Sequence, residues 1–243
     1  MPKKCINDIL LDVREMIDKN LFNQREIDAL MSPFLFHRLA FEPLKKHYLL
    51  NHYGSLIDSL HTYSNNEEKS SFLEIGCGTG SASLFLASKN DRLYSTGIDL
   101  NSTRIDIAKK RKKWHNIKNC MFLNENFLEF KADEKFDLVY SLAAFELIKP
   151  QEAALEKLNN LLGVDGIVIL DMANPYFFNN SRNQLKHHDV QKIENFFHSN
   201  GYDVSKEYQS IVTGLIPLRL LKHNSSINTT IRIIAKKRKT IRD

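Results

Sequence analysis

Phe72-Leu73-Glu74-Ile75-Gly76-Cys77-Gly78-Thr79-Gly80 is the stretch that decides how this chain is read. Its first four residues, apolar except for one acid, have the pattern of a short buried strand, and glycines then occupy every second position. Glycines so spaced let a chain turn tightly and approach a ligand with no side chain in the way. A tight turn with no ligand would use the same pattern, so the surroundings matter. Glu74 lies two residues before the first glycine, near the carboxyl end of the strand, where open α/β sheets bind ligands. A carboxylate there suits a cationic amino group better than a pyrophosphate. A dinucleotide fingerprint would also carry its third glycine one position later, where this chain has Ser81.

Working outward, short apolar runs alternate with helical stretches, the signature of a parallel sheet. A second strand, 93–98, closes on Gly97-Ile98-Asp99-Leu100. Asp99 lies 19 residues beyond Gly80, the distance at which a neighbouring strand presents an acid to ribose hydroxyls. The competing reading of Asp99 is an acid at the start of the next helix, which Asn101 or Ser102 can cap; ligand contact is the expectation. A basic helix over 102–113 follows, then strands at 120–123 and 136–140. A helix over 150–162 is expected to end in a left-handed cap at Gly163. Residues 166–171 read as a fifth strand, 189–199 as a helix, and 202–209 and 229–237 as two last strands.

Upstream, a polar stretch, Ser64 to Ser70, marks a boundary. Before it, Ile6, Ile9, Leu10, Val13, Met16 and Ile17 recur at helical spacing, as do Ile27, Leu30 and Met31. Two regions are therefore expected: a helical lid over residues 1–66 and an α/β core over 67–243. Within the lid, His37, Arg38, His47, Tyr48, His52 and Tyr53 are candidates for touching a substrate, although most such aromatics simply pack. Tyr176, Phe177, Phe178 and the apolar 211–221 connection offer further surface for an organic acceptor.

The 243 residues carry a net charge of +5, but the segment from Arg232 onward holds six basic residues and one acidic one. The rest is formally neutral, with 28 of each sign, which is not how a protein that grips a phosphate backbone is composed. The run Lys109-Lys110-Arg111-Lys112-Lys113 reads as the solvated end of a helix, its cations complementing the dipole. Three scattered cysteines, Cys5, Cys77 and Cys120, suggest reduced thiols with no metal spacing, and Cys120 reads as a small hydrophobe at a strand start. No apolar run approaches the roughly 20 residues of a membrane span, and the N-terminus does not read as a signal peptide. A cytoplasmic protein is the expectation.

Glu74 to Gly80, Asp99-Leu100, Phe136-Asp137-Leu138-Val139-Tyr140-Ser141 and Leu161-Leu162-Gly163-Val164-Asp165-Gly166 together closely resemble the class I S-adenosylmethionine-dependent methyltransferases of small-molecule type. The resemblance spans about residues 68–240. It implies a doubly wound, Rossmann-like sheet of seven strands, mostly parallel, with an antiparallel last strand. It implies S-adenosylmethionine as cofactor and S-adenosylhomocysteine as product. Glu74, Gly76 and Gly78 would line the methionine moiety, with contacts from Cys77, Thr79 and Gly80. Asp99 would hold the ribose and Leu100 would pack on adenine. Asn126 and Phe127 stand where the family often has an acid and an apolar residue reading adenine, and Glu125 could serve after a one-residue shift. Ser141 would face the methionine portion.

The acceptor side is less determined. Many small-molecule members carry a histidine soon after the fourth strand, where this chain has Leu147 preceded by Glu146. Glu146 could be a base or substrate anchor, or a solvated loop acid, and His37 and Tyr48 are the other candidate bases. The proline-rich motif of amino-methylating nucleic-acid enzymes is replaced by Ser141-Leu142-Ala143-Ala144. Asp171 and Asn174 lack the fourth-strand acid of metal-dependent members, so no metal is expected. The expected activity is methyl transfer to an oxygen or nitrogen of a small molecule. The alternatives are an RNA methyltransferase or a cofactor-binding protein of the same fold that transfers nothing.

Overall fold

A computed structural model of the chain describes residues 12–13, 15–30, 70–173, 187–209 and 230–238. In chain order these form helical residues 12, 13 and 15–18 (α1), α2 (Gln24–Leu30), β1 (Ser70–Ile75), α3 (Ser81–Lys89), β2 (Leu93–Asp99), α4 (Ser102–Trp114), β3 (Cys120–Asn124), β4 (Phe136–Leu142), a 3-10 turn (Phe145–Leu147), α5 (Gln151–Leu161), β5 (Leu162–Ala173), α6 (His187–Ser199), β6 (Tyr202–Gln209) and β7 (Thr230–Lys237). The seven strands form a sheet in the order β3-β2-β1-β4-β5-β7-β6. The order reverses between β1 and β4, and at such a switch point open α/β sheets hold their ligands. Among the described residues no helix is long and apolar enough to cross a membrane.

Backbone packing divides the chain into two compact units, residues 1–70 with 77–126, and 71–76 with 127–243. In the first, β2 and β3 run parallel in the register Asp99↔Asn124. Helix α4 starts on Asn101, whose side chain accepts the Arg104 N–H at 3.1 Å. It is buried on two faces. Ile105 and Ala108 join Leu84, Phe122 and Cys120 in one cluster, so Cys120 does open a strand as a small hydrophobe. Ile107 packs on Val13, Met16 and Phe22 of the N-terminal segment. Each aliphatic side chain so buried contributes about 1.5–3 kcal/mol. Lys110 fixes the same segment from the rim, donating to Glu26 at 2.7 Å and to the Leu21 carbonyl at 3.1 Å.

In the second unit β1, β4 and β5 are parallel, while β7 runs antiparallel to both β5 and β6. Tyr202 opens β6 fully buried, its ring edge-on to Phe197 at 5.2 Å and its hydroxyl donating to Asn159 Oδ1 at 2.7 Å. Asp171 and Arg232 are both fully buried and meet in a two-pronged ion pair, each contact 2.6 Å. The Tyr140 hydroxyl donates to the same carboxylate at 3.1 Å.

Two expectations are corrected. Gly163 does not cap α5 in a left-handed conformation: the helix ends at Leu161, and Leu162, already extended, begins β5 by pairing with Phe136. The register then jumps to Leu138↔Ile167, and the residue of positive φ in the intervening bulge is Asp165, at 64°. The basic run ending α4 is not solvated throughout, because Arg111 is fully buried.

Candidate functional site

The loop leaving β1 is built from three glycines with positive φ, and each is required for a different reason. A Cβ on Gly76 would lie 2.2 Å from the Ala144 Cβ, in the turn that follows β4. A Cβ on Gly80 would lie 2.5 Å from the Phe122 ring, beneath the start of α3. A Cβ on Gly78 would meet no atom of the described residues within 4 Å. With φ of 54° and open space beside it, Gly78 is the point where a ligand can come against bare backbone.

Asp99, the last residue of β2, is aimed at this loop. Its Oδ2 accepts the Gly78 N–H at 2.9 Å, and its Oδ1 accepts the Asn101 N–H at 2.8 Å. An ionised carboxylate has about four lone-pair sites, so two acceptor positions remain for a pair of hydroxyls. The main chain of Asp99 is also held: its carbonyl accepts from the Asn124 side-chain amide at 2.9 Å and from the Glu125 N–H at 3.2 Å. Asn124 was not singled out from sequence, though it is the residue in register with Asp99 on β3. Asn101 caps α4 while Asp99 turns to the loop, so the cap expected at the start of this helix is supplied by Asn101. Leu100, beside it, is 73 % exposed, an apolar surface open to a flat ring. Asn126 is half-buried and Glu125 exposed.

Cys77 and Thr79 alternate with the glycines and point inward. The Cys77 N–H donates to the Ile98 carbonyl at 2.9 Å, and its side chain together with the Phe122 ring leaves room only for Gly97 on β2, where a Cβ would lie 2.9 Å from the thiol and 2.8 Å from the ring. Thr79 is buried and its carbonyl accepts from Arg111 Nη1 at 2.7 Å. Arg111 Nη1 also donates to the Ser81 hydroxyl at 2.9 Å. The other edge of the guanidinium grips Asp12 of α1, with Nε 3.0 Å from both carboxylate oxygens and Nη2 2.9 Å from one of them. His115 Nε2 lies 2.7 Å from the same carboxylate. Burial alone would raise the Asp12 carboxyl, but the Arg111 charge and hydrogen bonds from His115 and Arg111 outweigh it and hold it below the usual carboxylate range.

On the second unit, Glu74 is buried on β1 opposite Tyr140 in the parallel register. Ser141 is fully buried and its hydroxyl serves the fold, donating to the Ile75 carbonyl at 3.0 Å and accepting the Phe145 N–H at 3.1 Å. Phe127 is buried edge-on against Phe145, with ring centres 6.3 Å apart. The turn after β4 includes Ala143 at φ 50°, fastened by its N–H to the Asp171 carbonyl at 2.7 Å. Glu146 is buried in the 3-10 turn, not a solvated loop acid, and Leu147 beside it is 59 % exposed. Asp171 is committed to Arg232, and among the described residues no cluster of His, Cys, Asp or Glu could hold a metal ion. His37, Tyr48 and the other aromatic candidates of residues 1–66, together with Asn174, Tyr176 to Phe178 and the 211–221 connection, lie outside the described residues.

A family model described as a methyltransferase domain matches residues 66–233. Malonyl-[acyl-carrier protein] O-methyltransferase of Bacillus anthracis is 30% identical over 115 residues, which is 47% of this chain and 42% of that protein, so the match spans under half the relative's length. Among solved structures, Haemonchus contortus phosphoethanolamine N-methyltransferase 2, in complex with phosphomonomethylethanolamine and S-adenosylhomocysteine, superposes with a TM-score of 0.57 at 17% identity, covering 77% of this chain and 53% of that one. The [4+2]-cyclase SpnF superposes with a TM-score of 0.56 at 14% identity, covering 71% and 76%. These structural likenesses show the fold.

Proposed function

The chain belongs to the methyltransferase-domain family, and from that premise we propose that it binds S-adenosylmethionine and moves the methyl group to an oxygen or nitrogen of a small organic acceptor. The observation that carries the reading is Asp99, held by the Gly78 and Asn101 N–H groups with acceptor capacity to spare, beside a glycine whose missing side chain leaves open space. Asp99 holds the ribose hydroxyls, bare backbone at Gly78 admits the ligand, and Leu100 covers one face of adenine. Glu125 or Asn126 accepts from the adenine amine, and Glu74 balances the charge of the methionine amino group. Gly76 keeps the turn after β1 close to Ala144. Cys77, Thr79 and Ser141 contribute main chain alone, since their side chains are buried or spent within the fold.

The cofactor supplies an electrophilic methyl carbon on a sulfonium, so the protein's task is to hold the acceptor in line and to exclude water. Glu146, buried beside the exposed Leu147, takes the proton that the acceptor loses. Residues 1–66 form the region that selects the acceptor, with His37 and Tyr48 as further proton acceptors. The neutral charge balance before the basic C-terminal segment favours a small molecule over RNA. The buried thiols Cys77 and Cys120 suit a reducing cytoplasm.

Incubation with methyl-labelled S-adenosylmethionine and, separately, a malonyl thioester, a small primary amine, a small-molecule extract and total RNA tests the proposal. Label in a small product is expected. Label in RNA would replace the small acceptor with a nucleic acid. Tight cofactor binding with no transfer in any arm would overturn the activity, and SpnF shows that this fold is also used by a protein named as a cyclase.

A further inference from the structure

Arg111 is a cation fully removed from water in a helix whose other cations, Arg104 and four lysines, have exposed or half-exposed side chains. Burying an arginine is costly unless nearly every donor is matched, and here the matches join two parts of the chain that sequence keeps far apart. One edge of the guanidinium holds Asp12, 99 residues away on α1. The remaining nitrogen, Nη1, holds the Thr79 carbonyl at 2.7 Å and the Ser81 hydroxyl at 2.9 Å, on either side of Gly80. The loop bearing Gly78 is held from β2 by Asp99 and the Ile98 carbonyl, and on its α4 side by Arg111. Arg111 therefore fixes where the loop lies, and Asp12 fixes where Arg111 points.

We propose that Arg111 is a positioning residue for the cofactor loop, and that Asp12 makes the N-terminal helix part of the cofactor site without touching the cofactor. The proposal rests on the reading of the Gly76–Gly80 loop as the S-adenosylmethionine site. Its consequence is directional. Anything that draws α1 away from α4 releases Arg111 from one side, lets the loop shift, and weakens cofactor affinity. Methyl transfer by the enzyme that does bind is left nearly as fast, since Asp12 and Arg111 are buried and do not themselves touch the acceptor.

The test compares the whole chain with Arg111→Lys, Asp12→Asn and Lys110→Ala. A lysine at 111 can reach Asp12 or the Thr79 carbonyl but cannot span both, because it lacks the planar fork. Lys110→Ala removes the contacts of α4 with Glu26 of α2 and with Leu21, and leaves both the Asp12–Arg111 pair and the loop contacts in place. Calorimetry measures Kd for S-adenosylhomocysteine, steady-state kinetics separate KM from kcat, and circular dichroism confirms folding and gives Tm. For Arg111→Lys and Asp12→Asn, Kd and the cofactor KM are expected to rise about tenfold with kcat within about twofold. For Lys110→Ala, Tm is expected to fall while Kd stays unchanged. Folded Arg111→Lys with unchanged Kd would overturn the proposal, as would an equal rise in Kd for Lys110→Ala. Failure of the unmodified chain to bind the cofactor would instead overturn the reading of the site. Should Arg111→Lys not fold, Ser81→Ala removes one loop contact while leaving the buried ion pair, and a Kd within error of the unmodified chain, together with unchanged Kd in Asp12→Asn, would then count against it.

Discussion

Gly76→Ala and Gly78→Ala add the same methyl group two residues apart, and the structure gives them opposite consequences. Both positions have positive φ, 69° and 54°, so each variant bears the left-handed penalty of about 1–2 kcal/mol for a residue with a Cβ. At Gly76 the new methyl would stand 2.2 Å from the Ala144 Cβ, well inside contact distance, and the turn after β4 must move. Overpacking of that kind costs a further 1–3 kcal/mol, roughly, bringing Gly76→Ala to about 2–5 kcal/mol. At Gly78 no atom of the described residues lies within 4 Å, so only the backbone penalty applies. Urea denaturation monitored by circular dichroism should place Gly78→Ala about 1–2 kcal/mol below the unmodified protein and Gly76→Ala about 2–5 kcal/mol below it. Calorimetry should show the folded Gly78→Ala protein losing cofactor affinity, because its methyl fills space assigned to the ligand. Combining Gly76→Ala with Ala144→Gly should recover the overpacking part and leave the backbone part. Equal destabilisation by the two single changes, or no recovery in the double variant, would refute the division of labour drawn here between packing and ligand access.

Three further outcomes are expected. Asp99→Ala should weaken cofactor binding by about 1–3 kcal/mol through lost charge-assisted hydrogen bonds, and calorimetry showing unchanged affinity would remove Asp99 as the ribose ligand. The Asp12 carboxyl is held below the usual carboxylate range, so its contribution to stability is present above about pH 4 and is lost as pH falls through the lowered value; Asp12→Asn should be less stable at pH 6 but lose less stability on acidification, read from urea midpoints. Burial pushes the Tyr202 hydroxyl up to about 12. Its contribution is complete below pH 10 and is lost as pH rises through 12, about 1–1.5 kcal/mol being gone by pH 11, and Tyr202→Phe should abolish that alkaline dependence.

The parts of the site that were legible in the sequence are those whose signals are local. The strand before Gly76, the alternate glycines and an acid closing the second strand are each set by their neighbours in the chain, and the structure places Asp99 against Gly78. Gly163 misled because helix-then-glycine usually signals a cap, whereas here pairing of Leu162 with Phe136 pulls the chain straight into β5. Glu146 was ambiguous because a loop acid is ordinarily solvated; the 3-10 turn instead buries it along with Phe145 and turns Leu147 outward. Arg111 was hidden inside a run of five cations whose composition reads as surface. Helix geometry could have exposed it, since it lies four residues after Ile107 and three after Ala108, both buried, but its partner Asp12 has no local signature.

The glycine motif itself shows why local legibility stops short of the ligand. Of its three glycines, Gly76 and Gly80 are demanded by packing, against Ala144 and Phe122, and would be needed by this fold whether or not anything bound. Only Gly78 has no neighbour that a side chain would strike, so the specific claim on a ligand falls on one glycine and the carboxylate fastened to it. The residues between the glycines carry the complementary half of the design: Cys77 and Thr79 turn their side chains into the protein, toward Gly97 and Arg111, and leave main chain on the outer side. A loop so built has little side-chain chemistry of its own to offer. Its recognition rests on where its backbone is held, which makes the buried contacts behind it, from Asp99 on β2 and Arg111 on α4, the determinants of what it can bind.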